Sequence, residues 1–496
     1  MTDPAVTTAT PPPGGTVAAP DAKRNSLVIS LLLVSAFIVI LNETIMGVAL
    51  PHLMTDLSIT ATAAQWLTTA FMLTMAVVIP ITGFLLQRFH TRPVFMAAMS
   101  LFSIGTFIAA IAPGFEVLIV GRVVQATGTA IMMPLLMTTV MTLVPPASRG
   151  KTMGNISIVI SVAPAIGPTI SGLILSVLDW RWMFILVLPI ALGGLFLGAA
   201  RIQNVTVPSK APLDVVSVVL SAFGFGGLVY GLSNLGEHAT GSAAAGLVPL
   251  GIGLVAIALF IWRQVSLQRS DRALLDLRTF TSRTFTFSIV MLAISMMALF
   301  GTLILLPIYM QNVLGLQALE TGLLLLPGGL TMGLLAPFVG RFYDRFGPTV
   351  LLVPGSIIVS GAFWFMTMLS ADTPFWWVLV AHVALSFGLA FLFTPLFTSA
   401  LGSLRPKLYS HGSAVVGTVQ QLAGAAGTAL FVMVMSSQAA SLMNTGVSEV
   451  AATAAGIQSA FMYGAIISLF AIPVAFFIRR PAVSADGENA APLMAH

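Results

Sequence analysis

Glu43 is an acid set in the apolar run Leu41-Asn42-Glu43-Thr44-Ile45-Met46-Gly47-Val48-Ala49-Leu50-Pro51. An ionisable side chain at membrane depth costs roughly 2.5–3.5 kcal/mol on insertion scales, so it implies a task. The chemistry open to a lone buried carboxyl is the uptake and release of a proton. Arg122, inside another apolar run, is the one base buried comparably deep. Burial and a nearby cation act in opposite senses on the charge of an acid. A conformational change that alters the Glu43–Arg122 separation would therefore load and unload the proton. The plainer alternative is a fixed ion pair that keeps two charges tolerable, with Arg122 anchoring its neighbour or ordering a water chain. His382 is a further titratable group, a second proton site or a hydrogen-bonded packing residue. Asn42, Gln125, Tyr309, Gln420 and Gln421 either border a substrate path or join helices by hydrogen bonds.

The elements that position these groups follow from composition. The chain has 496 residues, 57% hydrophobic and 7% charged, with a mean hydropathy of +1.01. A soluble domain carries about 25% charged residues, so an aqueous fold is excluded. Apolar runs near the ~20 residues that cross a bilayer as a helix recur along the chain. Strands of a membrane barrel would be half as long and alternate in polarity. The fold class is an all-α polytopic membrane protein with fourteen predicted spans: 26–50, 65–86, 93–112, 115–141, 152–177, 183–201, 213–234, 246–267, 285–310, 319–340, 349–370, 375–397, 411–436 and 457–478. Glu43 lies ~25 Å along the first span at 1.5 Å per residue, a depth that overlaps that of Arg122 on the antiparallel fourth span.

Charge checks the count. With a cytoplasmic N-terminus, every Lys and Arg except Arg122 and Arg181 falls on the cytoplasmic side, as in Arg88 and Arg92, Arg149 and Lys151, or Arg479 and Arg480. Removing one span would scramble that alternation. The pI near 9.9 thus reflects topology, and no nucleic-acid partner is required. With no Cys there is no disulfide framework, thiol catalysis or cysteine metal site. No cleavable signal peptide is expected, since the first apolar run is too long and carries an acid.

Five regions follow: a disordered cytoplasmic tail (1–25), a six-helix bundle (26–201), a linker with two inserted spans and a cytoplasmic loop (202–284), a second six-helix bundle (285–480) and a cytoplasmic tail (481–496). The loop Arg263–Arg283 is expected to run along the cytoplasmic surface, an amphipathic helix being one form open to it. The bundles repeat at an offset of about 260 residues: Gly114-Phe115 with Pro374-Phe375, Arg122 with His382, Gly128 with Gly388, and Ala163 and Gly167 with Ala423 and Gly427. Such weak symmetry is what parallel transporter halves leave in sequence.

Five motifs resemble those of the fourteen-span drug:proton antiporter branch of the major facilitator superfamily. They are Leu41-Asn42-Glu43-Thr44-Ile45 through Pro51, Leu118-x-x-x-Arg122-x-x-Gln125, Ala163-x-x-x-Gly167-Pro168-x-x-Ser171-Gly172, Trp180-Arg181-Trp182-Met183-Phe184, and Gly340-x-x-x-Asp344-Arg345-x-Gly347. The resemblance covers nearly all of the chain outside its tails. It implies that Gly167, Pro168 and Gly172 form a surface sealing the outer side against the other half. It also implies that Gly83, Arg88, Gly340, Asp344 and Arg345 form inner-loop gating elements. An acid at the place of Asp344 can cap or clamp a neighbouring helix end through charge and hydrogen bonding, and the plainer alternative for the arginines is topology marking. Five positions depart from the branch: Asn42 stands where Asp is usual, Gly47 where Asn is usual, Gln87 where Asp is usual, Ala126 where the fourth-span Gly is usual, and Gln420 where Arg is common.

The expected function is proton-coupled efflux of lipophilic drugs or other amphiphiles by alternating access, driven by the proton gradient without a cofactor. One buried acid suits neutral or monovalent cationic substrates. A monomer in the cell (inner) membrane, both termini cytoplasmic, is expected. Export of an endogenous lipid or secondary metabolite would use the same machinery. A membrane-embedded lipid enzyme lacks any nucleophile–base pair or metal set in the sequence. No single Met or Phe stands out as a ligand contact.

Overall fold

The computed structural model describes residues 19–204, 208, 212–237, 244–370 and 372–480. A chain inside a bilayer must satisfy its backbone hydrogen bonds within each segment, so every long apolar run becomes a helix. The first bundle holds α1 (Ala19–Asp56), α2 (Ala61–Arg88), α3 (Thr91–Ala110), α4 (Phe115–Leu143), α5 (Arg149–Leu175) and α6 (Trp182–Arg201). The inserted pair is α7 (Val215–Glu237) and α8 (Ala244–Leu267). The second bundle holds α9 (Arg283–Ile308), α10 (Ala318–Phe346), α11 (Thr349–Met366), α12 (Phe375–Gly402), α13 (Tyr409–Met443) and α14 (Glu449–Ala475). All fourteen are long and apolar enough to cross a membrane. Local chemistry sets their ends. The Thr60 hydroxyl accepts from Ala63 N at 3.2 Å to start α2, and Ser282 does the same for Phe285 N at 3.3 Å to start α9.

The two bundles repeat one packing scheme. In the first, α3 packs on α4, α2 on α4, α1 on α5 and α3 on α6; in the second, α11 packs on α12, α10 on α12, α9 on α13 and α11 on α14. The register is kept at single-residue level. Helices α4 and α12 begin at Phe115 and Phe375, and the 3-10 turns Pro146–Ser148 and Pro406–Leu408 stand at equivalent places before α5 and α13. Close approach needs glycine at both equivalent crossings. A Cβ on Gly128 would lie 2.3 Å from Ala98 O, and one on Gly388 would lie 3.0 Å from Val359 N.

The bundles meet along two seams, α5 on α10 and α2 on α13. Helix α7 lies on both α2 and α13, and so straddles the second seam. Ala76, Val229 and Ala425 form a small buried cluster there, and the Trp66 and Tyr230 rings lie 5.7 Å apart.

Two expectations need correction. Residues 19–25 are helical, because α1 starts at Ala19; the rest of that expected tail and the expected tail 481–496 lie outside the described residues. The loop Arg263–Arg283 is no amphipathic helix. Helix α8 runs on to Leu267, and short 3-10 turns follow at Gln268–Ser270 and Leu277–Thr281. Hydrogen bonds favour this compact form over a helix: Gln264 Oε1 accepts from Leu274 N at 2.8 Å and Leu275 N at 3.2 Å, burying both leucines.

Candidate functional site

A cavity of about 240 Å³ lies between the bundles. It is lined by α1, α2, α4 and α5 from one side and by α9, α10, α12 and α13 from the other. Its wall is mainly apolar and rich in flexible thioethers, with Met75, Met132, Met133, Met296 and Met332 around Phe300. Among the described residues Glu43 is the one carboxylate on this wall, and no lysine or arginine lines it. His382, Gln420 and Gln421 also face it. His382 Nε2 lies 3.1 Å from the Leu325 carbonyl, and Nδ1 has no partner. Methionine surfaces adapt to ligands of varied shape because the chain is unbranched and polarizable.

Arg122 faces away from the cavity, in the packing of α4 against α1, α2 and α3. Its Nη1 donates to Gln125 Oε1 at 2.7 Å and to Asn42 Oδ1 at 3.4 Å. Gln125 Nε2 in turn donates to Thr106 Oγ1 at 2.8 Å. The guanidinium carbon lies 4.0 Å from the centre of the Phe71 ring. Among the described residues no direct ion pair joins Arg122 to Glu43, although each lies in the field of the other. Asn42 and Gln125 are thus the hydrogen-bond partners of Arg122, fully buried, and do not line the cavity. Tyr309 does not line it either: its hydroxyl donates to the Ser370 carbonyl at 2.6 Å.

Below the cavity, the face that carries the basic loops is closed by bonds between the bundles. Thr138 Oγ1 donates to Ser413 Oγ at 3.0 Å, and Thr394 Oγ1 to Ser157 Oγ at 2.8 Å. Arg149 Nη2 donates to the Tyr409 hydroxyl at 3.2 Å. Asp344 caps α5: Oδ1 and Oδ2 accept from Gly150 N and Lys151 N, each at 2.8 Å. A carboxylate at a helix N-terminus meets both free N–H groups and the positive end of the dipole. Gly340 makes that approach possible, since a Cβ there would lie 2.2 Å from Gly150 O. At the equivalent place on α2, neutral Gln87 makes a single bond, Nε2 to Lys407 O at 3.1 Å. Gly83 packs beside it against His411. Arg88 and Arg345 are exposed.

Toward the opposite face the seam between α5 and α10 parts. Gly329 still meets Ala165, but Gly172 and Gly322 have no heavy atom of another element near an added Cβ. Gly167 packs on Thr44 of α1, within its own bundle, where an added Cβ would lie 2.3 Å from Oγ1. The expected seal of Gly167 and Gly172 against the other bundle is therefore not formed here, because the bundles touch at their basic ends. Pro168 lies in α5, its side chain outside what is described.

The lining methionines and the Ser/Thr pairs that close the basic face carry little that distinguishes them in sequence from ordinary packing residues. The one available signal was Met132-Met133-Pro134, a methionine pair beside a helix-bending proline on the span that bears Arg122.

Two related six-helix bundles around one central cavity are the build of a secondary transporter. The sequence model of the Major Facilitator Superfamily matches residues 32–428, and the chain belongs to that family. It is 42% identical over 458 residues to the lincomycin resistance protein LmrB of Listeria monocytogenes, covering 91% of this chain and 96% of that protein. It is 40% identical over 467 residues to the uncharacterized MFS-type transporter YcnB of Bacillus subtilis, covering 94% and 98%. Among solved structures it resembles the human organic anion transporter MFSD10, with a TM-score of 0.63 at 15% identity over 92% of this chain and all of that one. The proton:xylose symporter XylE gives 0.60 at 14% identity, over 91% and 95%. At such identity these two bear on the fold alone.

Proposed function

We propose that this transporter expels lipophilic neutral or monovalent cationic small molecules, drugs among them, in exchange for protons. The observation that carries the reading is Glu43, the sole carboxylate among the described residues on the wall of a methionine-rich cavity shared by both bundles. Resistance to lincomycin in the name of a relative at 42% identity supports a drug-like substrate. The positive-inside rule assigns the basic face, with both termini, to the cytoplasm of a cell-membrane protein. The closed basic face then corresponds to an outward-facing state. In this cycle a proton from outside reaches Glu43, substrate leaves, and the carboxyl discharges inward after the bundles rock. Inward movement of one positive charge adds ~2.3 kcal/mol per 100 mV of membrane potential. His382, on the same wall from the other bundle, is the second candidate proton group. No cofactor takes part, and a monomer suffices because the cavity is complete within one chain.

Glu43→Gln in everted vesicles is the test. Drug-driven proton movement and drug transport are expected to fall to the level of empty vesicles, with the protein still present and folded. Survival of both would overturn the assignment. A panel of fluorescent neutral, cationic and anionic amphiphiles in the same vesicles reads the substrate class.

A further inference from the structure

The basic end of α10 carries a feature that the cavity does not use. Phe338, Arg341, Phe342, Arg345 and Phe346 recur at helical spacing, so they share one face. All five are exposed, and Leu334 continues the stripe toward the membrane centre at 68% exposure. The Arg341 guanidinium lies 5.7 Å from the Phe338 ring and that of Arg345 lies 5.0 Å from the Phe346 ring, while the Phe342 and Phe346 rings are 4.3 Å apart. Among the described residues neither guanidinium has a carboxylate partner. The acid between them in sequence, Asp344, has both oxygens on the N-terminus of α5. Arg480 adds a third exposed cation, held to this helix end by its bond to the Asp344 carbonyl at 2.8 Å. Ring stacking orients the guanidinium planes without neutralising them.

Topology accounts for arginines at this face but not for their alternation with exposed rings. The equivalent end of α2 shows no such stripe, since Phe84 is half-buried and Arg88 is followed directly by Phe89. We propose that the α10 stripe binds an anionic phospholipid of the leaflet on the basic face. The phosphate sits between Arg341 and Arg345, with Arg480 alongside, and the acyl chains run over Phe338 toward Leu334. Guanidinium groups pair with phosphate through parallel N–H bonds, and basic clusters at helix ends select anionic headgroups over zwitterionic ones.

Native mass spectrometry of the purified full chain, doped with equal phosphatidylglycerol and phosphatidylcholine, tests this. The wild type is expected to retain phosphatidylglycerol preferentially, and R341Q/R345Q to lose roughly tenfold of that retention. R88Q/R92Q, which removes the same charge elsewhere on the same face, is expected to keep it. R341K/R345K, with the charge kept, is expected to retain most of it, which separates lost binding from misfolding. Undiminished retention by R341Q/R345Q would overturn the proposal. So would an equal loss in R88Q/R92Q, which would reveal only a diffuse surface potential, or displacement of the lipid by millimolar inorganic phosphate.

Discussion

Asn42 and Glu43 are neighbours in sequence, yet a helix turns by 100° between them, and the structure uses that turn to separate two jobs. Asn42 faces Arg122, while Glu43 faces the cavity. A neutral amide on the arginine leaves the acid free of a direct partner. The charge swap Glu43→Arg with Arg122→Glu is therefore expected not to rescue transport; efflux from cells carrying the swap should match either single variant. Arg122→Gln removes a buried donor from the Asn42–Gln125–Thr106 chain and is expected to cost about 1–3 kcal/mol of stability, read as a lower Tm. The sequence reveals Glu43 and Arg122 readily, because deep charges are rare. Which neighbour each touches depends on helix rotation, and no apolar pattern records that. Tyr309 shows the same limit: it opens the π-helical turn Tyr309–Val313, where the ordinary 3.6-residue period no longer says which way a side chain points.

At the scale of elements, the two seams are latched unequally. Asp344 binds the start of α5 through two charge-assisted bonds, whereas Gln87 offers one neutral bond to the turn before α13. Asp344→Asn is expected to weaken the closed basic face by about 1–2 kcal/mol, a roughly five- to thirtyfold shift toward opening. Spin labels on the basic ends of α5 and α10 should then show a longer-distance population absent from the wild type. The connection after α8 is a third fastening, tied to the same turn by Lys407 Nζ, which donates to Asp271 at 2.9 Å. Lys407, and then Arg278, hold the Asp271 carboxyl at about 2, below its ordinary 3.8. A depressed carboxyl stabilises fully above its ordinary value and loses that contribution as pH falls through the lowered one. Hydrogen exchange across residues 271–279 is expected to speed up between pH about 4 and about 2, and Asp271→Asn should remove that acid dependence. The sequence marks this stretch only as charged. Its folded form rests on Gln264 reaching two backbone amides ten and eleven residues on, a long-range match that carries no local signature.

At the scale of the whole molecule, the internal repeat is the best-preserved message in the chain. Phe115 and Phe375 open equivalent helices, and Gly128 and Gly388 permit equivalent crossings, because each bundle must satisfy the same packing. Fourteen apolar runs and the alternation of basic loops made the architecture legible. The state of the molecule was not, since it depends on contacts across the seams, made by ordinary Ser, Thr and Gly residues. The inserted hairpin breaks the symmetry. Helix α7 bridges α2 and α13, and the Asp214–Arg263 pair at 2.7 Å joins it to α8, whereas among the described residues no comparable packing of an inserted helix on α5 and α10 is found. A molecule bound along one flank is expected to move like a book with a spine, which distances between labelled helix ends in the two states would check. When the bundles rock, the outer ends of α5 and α10 should swing through a wider arc than those of α2 and α13, and a bulky cargo would leave from the fore-edge.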